Sequence, residues 1–271
     1  LETPIHLFLI AGAGRYPGLV IEGARKAGVQ KISVAAFQGE TDTATTDAAD
    51  ECFWMRVGQL GKLLGAAKKS GARVAMMAGQ LAPKNLFNLR PDIKALVLLA
   101  KLQRRNAETM FGEVTNQLST VGVEVLKATS FLDDHLAQQG PIAGPKPKAR
   151  ILSDISFGFS IAKETSRLDV GQTVVIKNGT VLAVEAFEGT DACMTRGGAL
   201  GKGGAVVVKV TKPGQDMRFD VPVIGLRTLE CASNAGIGTI ALEADRTLLL
   251  DKPALCREAT ERGLSLYGVN P

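Results

Sequence analysis

The apolar run Ile5 to Ile10 passes straight into Ala11-Gly12-Ala13-Gly14, and a helical stretch from about Pro17 to Ala27 follows. A buried strand turning sharply into a helix restricts the start of the chain to few architectures, because the helix has to fold back over the sheet that the strand joins. The alternation continues. Ile32 to Ala36 reads as a second strand, Leu60, Leu63, Leu64 and Ala67 keep helical spacing up to Gly71, and Val74 to Ala78 is another buried-looking run. Strands that alternate with helices predict a parallel sheet flanked by helices.

From Pro91 the chain reads as helical, with Asp92 at the helix start, the run Ile93 to Ala100, and then Lys101, Arg104 and Arg105. A helix over Glu108 to Thr120 and a short strand over Val123 to Leu126 come next. Gln138 to Pro147 is rich in Pro and Gly, which suit neither element, so a domain boundary is placed there, dividing the chain into 1–140 and 141–271. The second half opens with a helix near Arg150 to Ser166. Val174 to Lys177 and Val181 to Val184 flank Asn178-Gly179, a hairpin signal. Strand Ala205 to Val210, helix Leu226 to Asn234, strand Thr239 to Leu242, a second hairpin near Ala244-Asp245, helix Pro253 to Arg262 and strand Leu264 to Tyr267 complete it. The expected fold class is α/β: a Rossmann-like parallel-sheet N-terminal domain followed by a mixed α+β C-terminal domain.

With 271 residues, 45% of them hydrophobic, the chain can fill two ordinary cores. Its four cysteines form no C-x-x-C pair, which argues against a zinc site or a disulfide framework. No apolar run reaches the ~18 residues that would span a bilayer, and no charged leader precedes the first strand, so a cytoplasmic protein is expected. The net charge of +5 favours an acidic partner, either a phosphorylated ligand or an anionic membrane face; no nucleic-acid partner is expected. Histidine is scarce, His6 and His135 alone. A hydrolytic metal would therefore be held by Asp and Glu oxygens, which suits magnesium or manganese.

The turn at Gly12, Ala13, Gly14 and Arg15 offers helix N-terminal N–H groups to an anion, with Arg15 as a phosphate partner. The third glycine of a dinucleotide fingerprint falls one place late, at Gly18, and only Glu40 is available for a ribose. A nucleotide or sugar ligand fits this turn better than a nicotinamide cofactor, and a tight connection without any ligand is the plain alternative. In the second half, Glu188-Gly189-Thr190-Asp191 leads into a helix that Thr190 or Asp191 could cap; Glu188 and Asp191 would make a half-site for a hard cation. After Lys212-Pro213-Gly214-Gln215, the residues Asp216, Arg218 and Asp220 alternate with Met217, Phe219 and Val221, so an extended segment would show both acids and the arginine on one face. A solvated strand has the same pattern. Phosphoryl chemistry uses these residue types: Lys212, Arg218 and Arg15 against developing charge, Asp216 as metal ligand or water-positioning base, then Asp220, Asp191 and Glu188.

Ile10 to Pro17, Val57-Gly58-Gln59-Leu60-Gly61-Lys62, Met77-Ala78-Gly79, Leu89-Arg90-Pro91-Asp92, Asp169-Val170-Gly171-Gln172, Glu188 to Asp191 and Lys212 to Asp216 together resemble, in order, the LpxI-type UDP-2,3-diacylglucosamine pyrophosphatases of lipid A biosynthesis. The resemblance implies magnesium-dependent hydrolysis of UDP-2,3-diacylglucosamine to UMP and 2,3-diacylglucosamine 1-phosphate, with water directed at the sugar-side phosphorus. It implies a peripheral enzyme at the cytoplasmic face of the inner membrane and substrate held between two domains, on the glycine turn and on Gly79, Gln80, Gly189, Thr190 and Gln215. It also implies an essential second-domain aspartate, either Asp216 or Asp220. Gln80 departs from the small residue expected after Gly79. A non-catalytic nucleotide-sugar or lipid binding protein is the alternative from another class, and a nucleotide-cofactor oxidoreductase a further one. For a lipid substrate, the helix from Asp92 to Arg105, apolar and then basic at Lys101, Arg104 and Arg105, suits a membrane-surface element; a buried core helix with a basic end has the same composition.

Overall fold

A computed structural model describes residues 3–81, 91–102 and 107–270; Leu89, Arg90, Arg104, Arg105 and the side chain of Lys101 lie outside the described residues. The chain divides into two compact units, one of Leu1–Asp133 with Asp216–Asp220 and one of Asp134–Gln215 with Val221–Pro271.

In the first unit β1 (His6–Ala11), β2 (Lys31–Phe37), β3 (Glu51–Met55), β4 (Val74–Ala78) and β5 (Glu124–Val125) form a sheet in the order β3-β2-β1-β4-β5. Each pairing is parallel. Between the strands run α1 (Arg15–Lys26), α2 (Thr43–Asp47), α3 (Leu60–Ser70), α4 (Ile93–Lys101) and α5 (Ala107–Thr120). Phe8, Ile10, Phe37 and Met77 on one sheet face pack against Leu60, Leu63 and Leu64 of α3, Ala95 of α4 and Leu118 of α5. The intervening Leu7, Leu9, Val34 and Met76 are buried as well. These strands therefore read as continuous apolar runs rather than alternating ones. Each such side chain taken fully out of water contributes about 1.5–3 kcal/mol. α3 stops at Gly71, whose φ of 77° gives the left-handed cap. Asp92 caps α4 by accepting from Ala95 N at 2.9 Å and also accepts from Gly61 N at 2.6 Å, tying the start of α4 to α3.

In the second unit β6 (Gly140–Ala143), β7 (Thr173–Lys177), β8 (Thr180–Val184), β9 (Ala205–Lys209), β11 (Ile237–Glu243) and β13 (Ser265–Val269) form a mixed sheet in the order β6-β13-β11-β9-β7-β8. β13, β11 and β9 pair in parallel, while β6, β7 and β8 are joined antiparallel. α6 (Ala149–Arg167) sets Ile155, Phe159 and Ala162 against Val174, Ile176, Val206 and Val208. On the other face α7 (Thr190–Gly201), α8 (Leu226–Asn234) and α9 (Lys252–Glu261) cover Val175, Val207, Ile240 and Leu242. The hairpin between β7 and β8 turns on Asn178 and Gly179, both left-handed at φ 53° and 71°. The Asp154 carboxylate accepts from both their N–H groups.

Several expectations need correction. The Pro/Gly-rich stretch is not free of regular structure: it contains β6, where Pro141 is tolerated because the strand lies at a sheet edge. No hairpin forms at Ala244-Asp245, because the next strand, β12 (Leu248–Leu249), pairs in parallel with β10 (Val223–Ile224). Residues 216–220 are not extended. The Asp216 carbonyl accepts the N–H groups of Phe219 and Asp220, at 3.3 and 3.0 Å, making a tight turn in which two-residue alternation does not hold. That turn also packs with the first unit rather than the second, through Phe219 against Phe111 of α5 (centroids 5.9 Å apart) and Met217 O accepting from Ala128 N at 2.7 Å.

Candidate functional site

The first glycine connection sits at the carboxyl end of β1, beside the point where the strand order reverses between β1 and β4. Open α/β sheets commonly present ligands at such a reversal. Here backbone meets backbone. Ala13 and Gln80 exchange hydrogen bonds in both directions, at 2.8 and 3.0 Å, and Gly12 N donates to Ala78 O at 2.8 Å. A Cβ on Gly12 would lie 2.7 Å from the Gln80 carbonyl oxygen, and one on Gly79 would lie 2.8 Å from Gly12 C. Close approach of two chain segments thus accounts for glycine at both positions. Gly14 holds the left-handed conformation (φ 88°) that starts α1, and its N–H donates to Asp42 Oδ2 at 3.1 Å. An internal carboxylate therefore occupies one of the N–H groups that the sequence reserved for an anion. Arg15 is exposed and pairs with Glu22 of its own helix at 2.7 Å.

In the second unit, Gly189 (φ 82°) starts α7. Thr190 Oγ1 donates to Glu185 Oε1 at 2.9 Å and accepts from Lys209 Nζ at 2.8 Å. Glu185 Oε2 is buried without a hydrogen bond. Glu188 accepts from Arg196 at 2.5 Å, which holds its carboxyl below the usual range, and Asp191 is paired with Arg227 at 3.0 Å. Neither Glu185, Lys209 nor the arginine partners stood out in the sequence. Burial pushes the neighbouring Cys193 thiol up to about 12, so it is inert as a nucleophile at neutral pH.

The loop after β9 is closed by its own side chain: the buried Gln215 accepts from Lys212 N at 2.7 Å through Oε1, around a left-handed Gly214 (φ 73°). Lys212 Nζ lies 3.4 Å from Asp169 Oδ1. The loop is anchored by residues that sequence reasoning missed. Glu243, at the end of β11 and 3% exposed, accepts from Thr211 N at 2.7 Å, Thr211 Oγ1 at 2.9 Å and Lys163 Nζ at 2.7 Å; Lys163 in turn donates to Thr211 O. Beyond the loop, Arg218 donates to Asp216 from Nε and Nη2, and this paired guanidinium holds the Asp216 carboxyl below its ordinary value. Asp220 donates its N–H into the same turn.

The carboxylates named as metal ligands, Asp216, Asp191 and Glu188, are each engaged by an arginine. Among the described residues no three His, Cys, Asp or Glu side chains gather as a ligand set. This donor set is not a ready-made cage. It fits magnesium only in the manner usual for that ion, carried on phosphate oxygens with one or two carboxylates added.

The first unit also holds an apolar cavity of about 130 Å³, lined by Ile10, Phe37 and Met77 from the sheet, Leu63 from α3, Leu98 from α4 and Phe111 from α5, among others. Almost nothing polar faces it. A hydrocarbon chain matches such a lining, and a nucleotide does not.

A doubly layered parallel-sheet unit joined to a mixed-sheet unit, with arginine-held carboxylates and an apolar cavity, is the class of protein defined by these features. Family models of the LpxI N-terminal domain and the LpxI C-terminal domain match residues 6–135 and 138–267. A protein of Caulobacter vibrioides (strain ATCC 19089 / CIP 103742 / CB 15), named UDP-2,3-diacylglucosamine pyrophosphatase LpxI, is 31% identical over 278 residues, covering 98% of this chain and 98% of its own. The chain belongs to the LpxI family. Among solved structures, the biotin carboxylase subunit of pyruvate carboxylase matches with a TM-score of 0.29 and 12% identity over 64% of this chain and 34% of its own, too slight a likeness to bear on fold or activity.

Proposed function

We propose that this chain hydrolyses the diphosphate of UDP-2,3-diacylglucosamine, releasing UMP and 2,3-diacylglucosamine 1-phosphate for lipid A biosynthesis. The observation that carries the reading is the end-to-end match to a relative bearing that name. The apolar cavity of the first unit supports it independently, because a diacylated sugar needs a dry receptacle for hydrocarbon and a UDP-sugar without lipid does not. The order β3-β2-β1-β4-β5 of that unit, which reverses beside the first glycine connection, supports a nucleotide-linked substrate at its strand ends.

In the reaction a water oxygen bonds to phosphorus while the bond to the bridging oxygen breaks, and the proton released passes to solvent or to a phosphate oxygen. Arg218, oriented by Asp216, is the group assigned to the charge that develops on the diphosphate. Asp216 stays ionised and is a poor general base, since a base works best with its pKa near the operating pH; its part is to position charge. Magnesium, with manganese as substitute, would be held by Asp216 together with phosphate oxygens and would neutralise the diphosphate. The enzyme is assigned to the cytoplasmic face of the inner membrane as a peripheral protein; no described helix is long and apolar enough to cross a membrane.

The test is turnover of UDP-2,3-diacylglucosamine by the purified chain, with product analysis in heavy-oxygen water. Formation of UMP and the sugar 1-phosphate is expected, with the label on the sugar phosphate. Tight binding of the substrate with no product over long incubation would overturn the enzymatic reading in favour of a binding protein.

A further inference from the structure

Helix α4 is apolar on two sides, and the structure separates them. Ala95, Leu98 and Leu99 line the cavity. On the opposite side Ile93, Leu96 and Val97 stand in solvent, at 80%, 52% and 51% exposure. Their spacing of three and four residues puts them on one stripe of the helix, and the exposed Lys94 lies beside Ile93. Water-facing Ile, Leu and Val on a single helical stripe form an unusual surface, whereas isolated exposed apolar residues are common.

We infer that the outer stripe of α4 docks on a bilayer leaflet containing acidic lipid, so that one helix inserts into the membrane surface with one face and roofs the acyl cavity with the other. Two observations favour a bilayer over a second copy of the chain. A helix of nine residues is roughly 14 Å long, and its stripe of three side chains falls well short of the roughly 800 Å² per partner that a stable dimer interface buries. The charge also matches: the chain carries +5 overall, and a lysine beside an apolar stripe is the pattern of helices that lie in the headgroup region of acidic membranes. The cavity on the inner face adds a reason for such docking, since a lipid tail leaving the bilayer under α4 would never cross open water.

This inference rests on the lipid-substrate reading, but its test needs no turnover. Purified chain would be floated with vesicles of phosphatidylethanolamine and phosphatidylglycerol, and separately with phosphatidylcholine vesicles, beside Leu96→Glu/Val97→Glu and Ile93→Ser/Leu96→Ser variants. The wild type should float with the acidic vesicles and not with the neutral ones, and both variants should lose at least about tenfold in vesicle affinity. Hydrolysis of detergent-dispersed substrate and the melting temperature should be unchanged, because these side chains touch neither the cavity nor the core. Equal flotation of wild type and variants, equal flotation on neutral vesicles, or a dimer that the variants convert to monomer would each overturn the inference. A wild type that hydrolyses the dispersed lipid but does not float rejects the docking alone; one that floats without turnover rejects the activity alone.

Discussion

Arg218 grips Asp216 from two residues away, with Nε 2.9 Å from Oδ1 and Nη2 2.6 Å from Oδ2, across a turn that the Asp216 carbonyl itself closes. A paired guanidinium of this kind is among the stronger charge-assisted contacts, and it fixes direction as well as charge. Asp216→Asn should lower kcat by about 100-fold or more. Because the hydrogen bonds from Arg218 hold the Asp216 carboxyl below its ordinary value, the acidic limb of the wild-type pH–kcat profile above pH ~5 should belong to another group and survive in the variant. The sign follows from linkage: the stability given by the pair is full above the unfolded carboxyl pKa of about 3.9 and is lost only as pH falls through the lower folded value. Arg218→Ala with full activity would remove this pair from the mechanism.

Magnesium should bind the free protein weakly. The carboxylates available to it are already satisfied by arginines, so an ion must either displace a guanidinium or bring its own phosphate ligands. Chelator is expected to abolish turnover, while equilibrium dialysis without substrate should find no site tighter than about millimolar. A micromolar site on the free chain would contradict this account.

The Glu243 carboxylate holds the root of the Lys212 loop. Its side chain is 4% exposed, that of Lys163 25%. Glu243→Ala removes the carboxylate that balances the Lys163 charge, leaving Lys163 hydrogen-bonded only to Thr211, and strips the Thr211 N–H of its acceptor, at a cost of about 2–4 kcal/mol in urea unfolding. Glu243→Gln should cost less, and adding Lys163→Met to the alanine variant should recover part of the loss. Additive losses in the double variant would show that the two residues act separately.

Much of the fold was legible because buried parallel strands declare themselves as unbroken apolar runs: β1, β2 and β4 stand nearly where Ile5–Ile10, Ile32–Ala36 and Val74–Ala78 place them. β3 was missed because Glu51-Cys52-Phe53-Trp54-Met55 begins on an acid and leaves Trp54 half exposed, so no run forms. Alternation misled at 216–220. A two-residue period reports an extended backbone only if the backbone is extended, and here Phe219 is drawn onto Phe111 from more than 100 positions earlier. The site residues were visible as types but not as partners. Asp191 with Arg227, Thr211 with Glu243 and Gly14 with Asp42 are joined by tertiary folding, which no local pattern encodes.

His6 offers a pH test of the first unit. Its Nε2 lies 2.9 Å from Ser33 Oγ on the neighbouring strand, and burial, reinforced by Lys31, holds its pKa below the usual 6.5. For a base so depressed, the stability it contributes is full above the unfolded pKa and falls as pH drops through the folded value, because the unfolded chain takes up the proton first. His6→Asn should therefore flatten the rise of unfolding free energy with pH in the region below 6.5. An unchanged slope would place the proton uptake elsewhere.

The apolar cavity yields the prediction closest to specificity. Ala95 lines it from α4 and is 8% exposed. Ala95→Phe would send a ring into apolar space of about 130 Å³, so the variant should fold, with a melting temperature equal to or above that of the wild type, since a ring there gains apolar contacts. If that space receives an acyl chain, KM for the long-chain substrate should rise about tenfold, the worth of roughly two displaced methylenes. An analogue with shortened chains should keep its kcat/KM. A purely structural role predicts the opposite pattern, in which both substrates respond alike and any change follows the melting temperature.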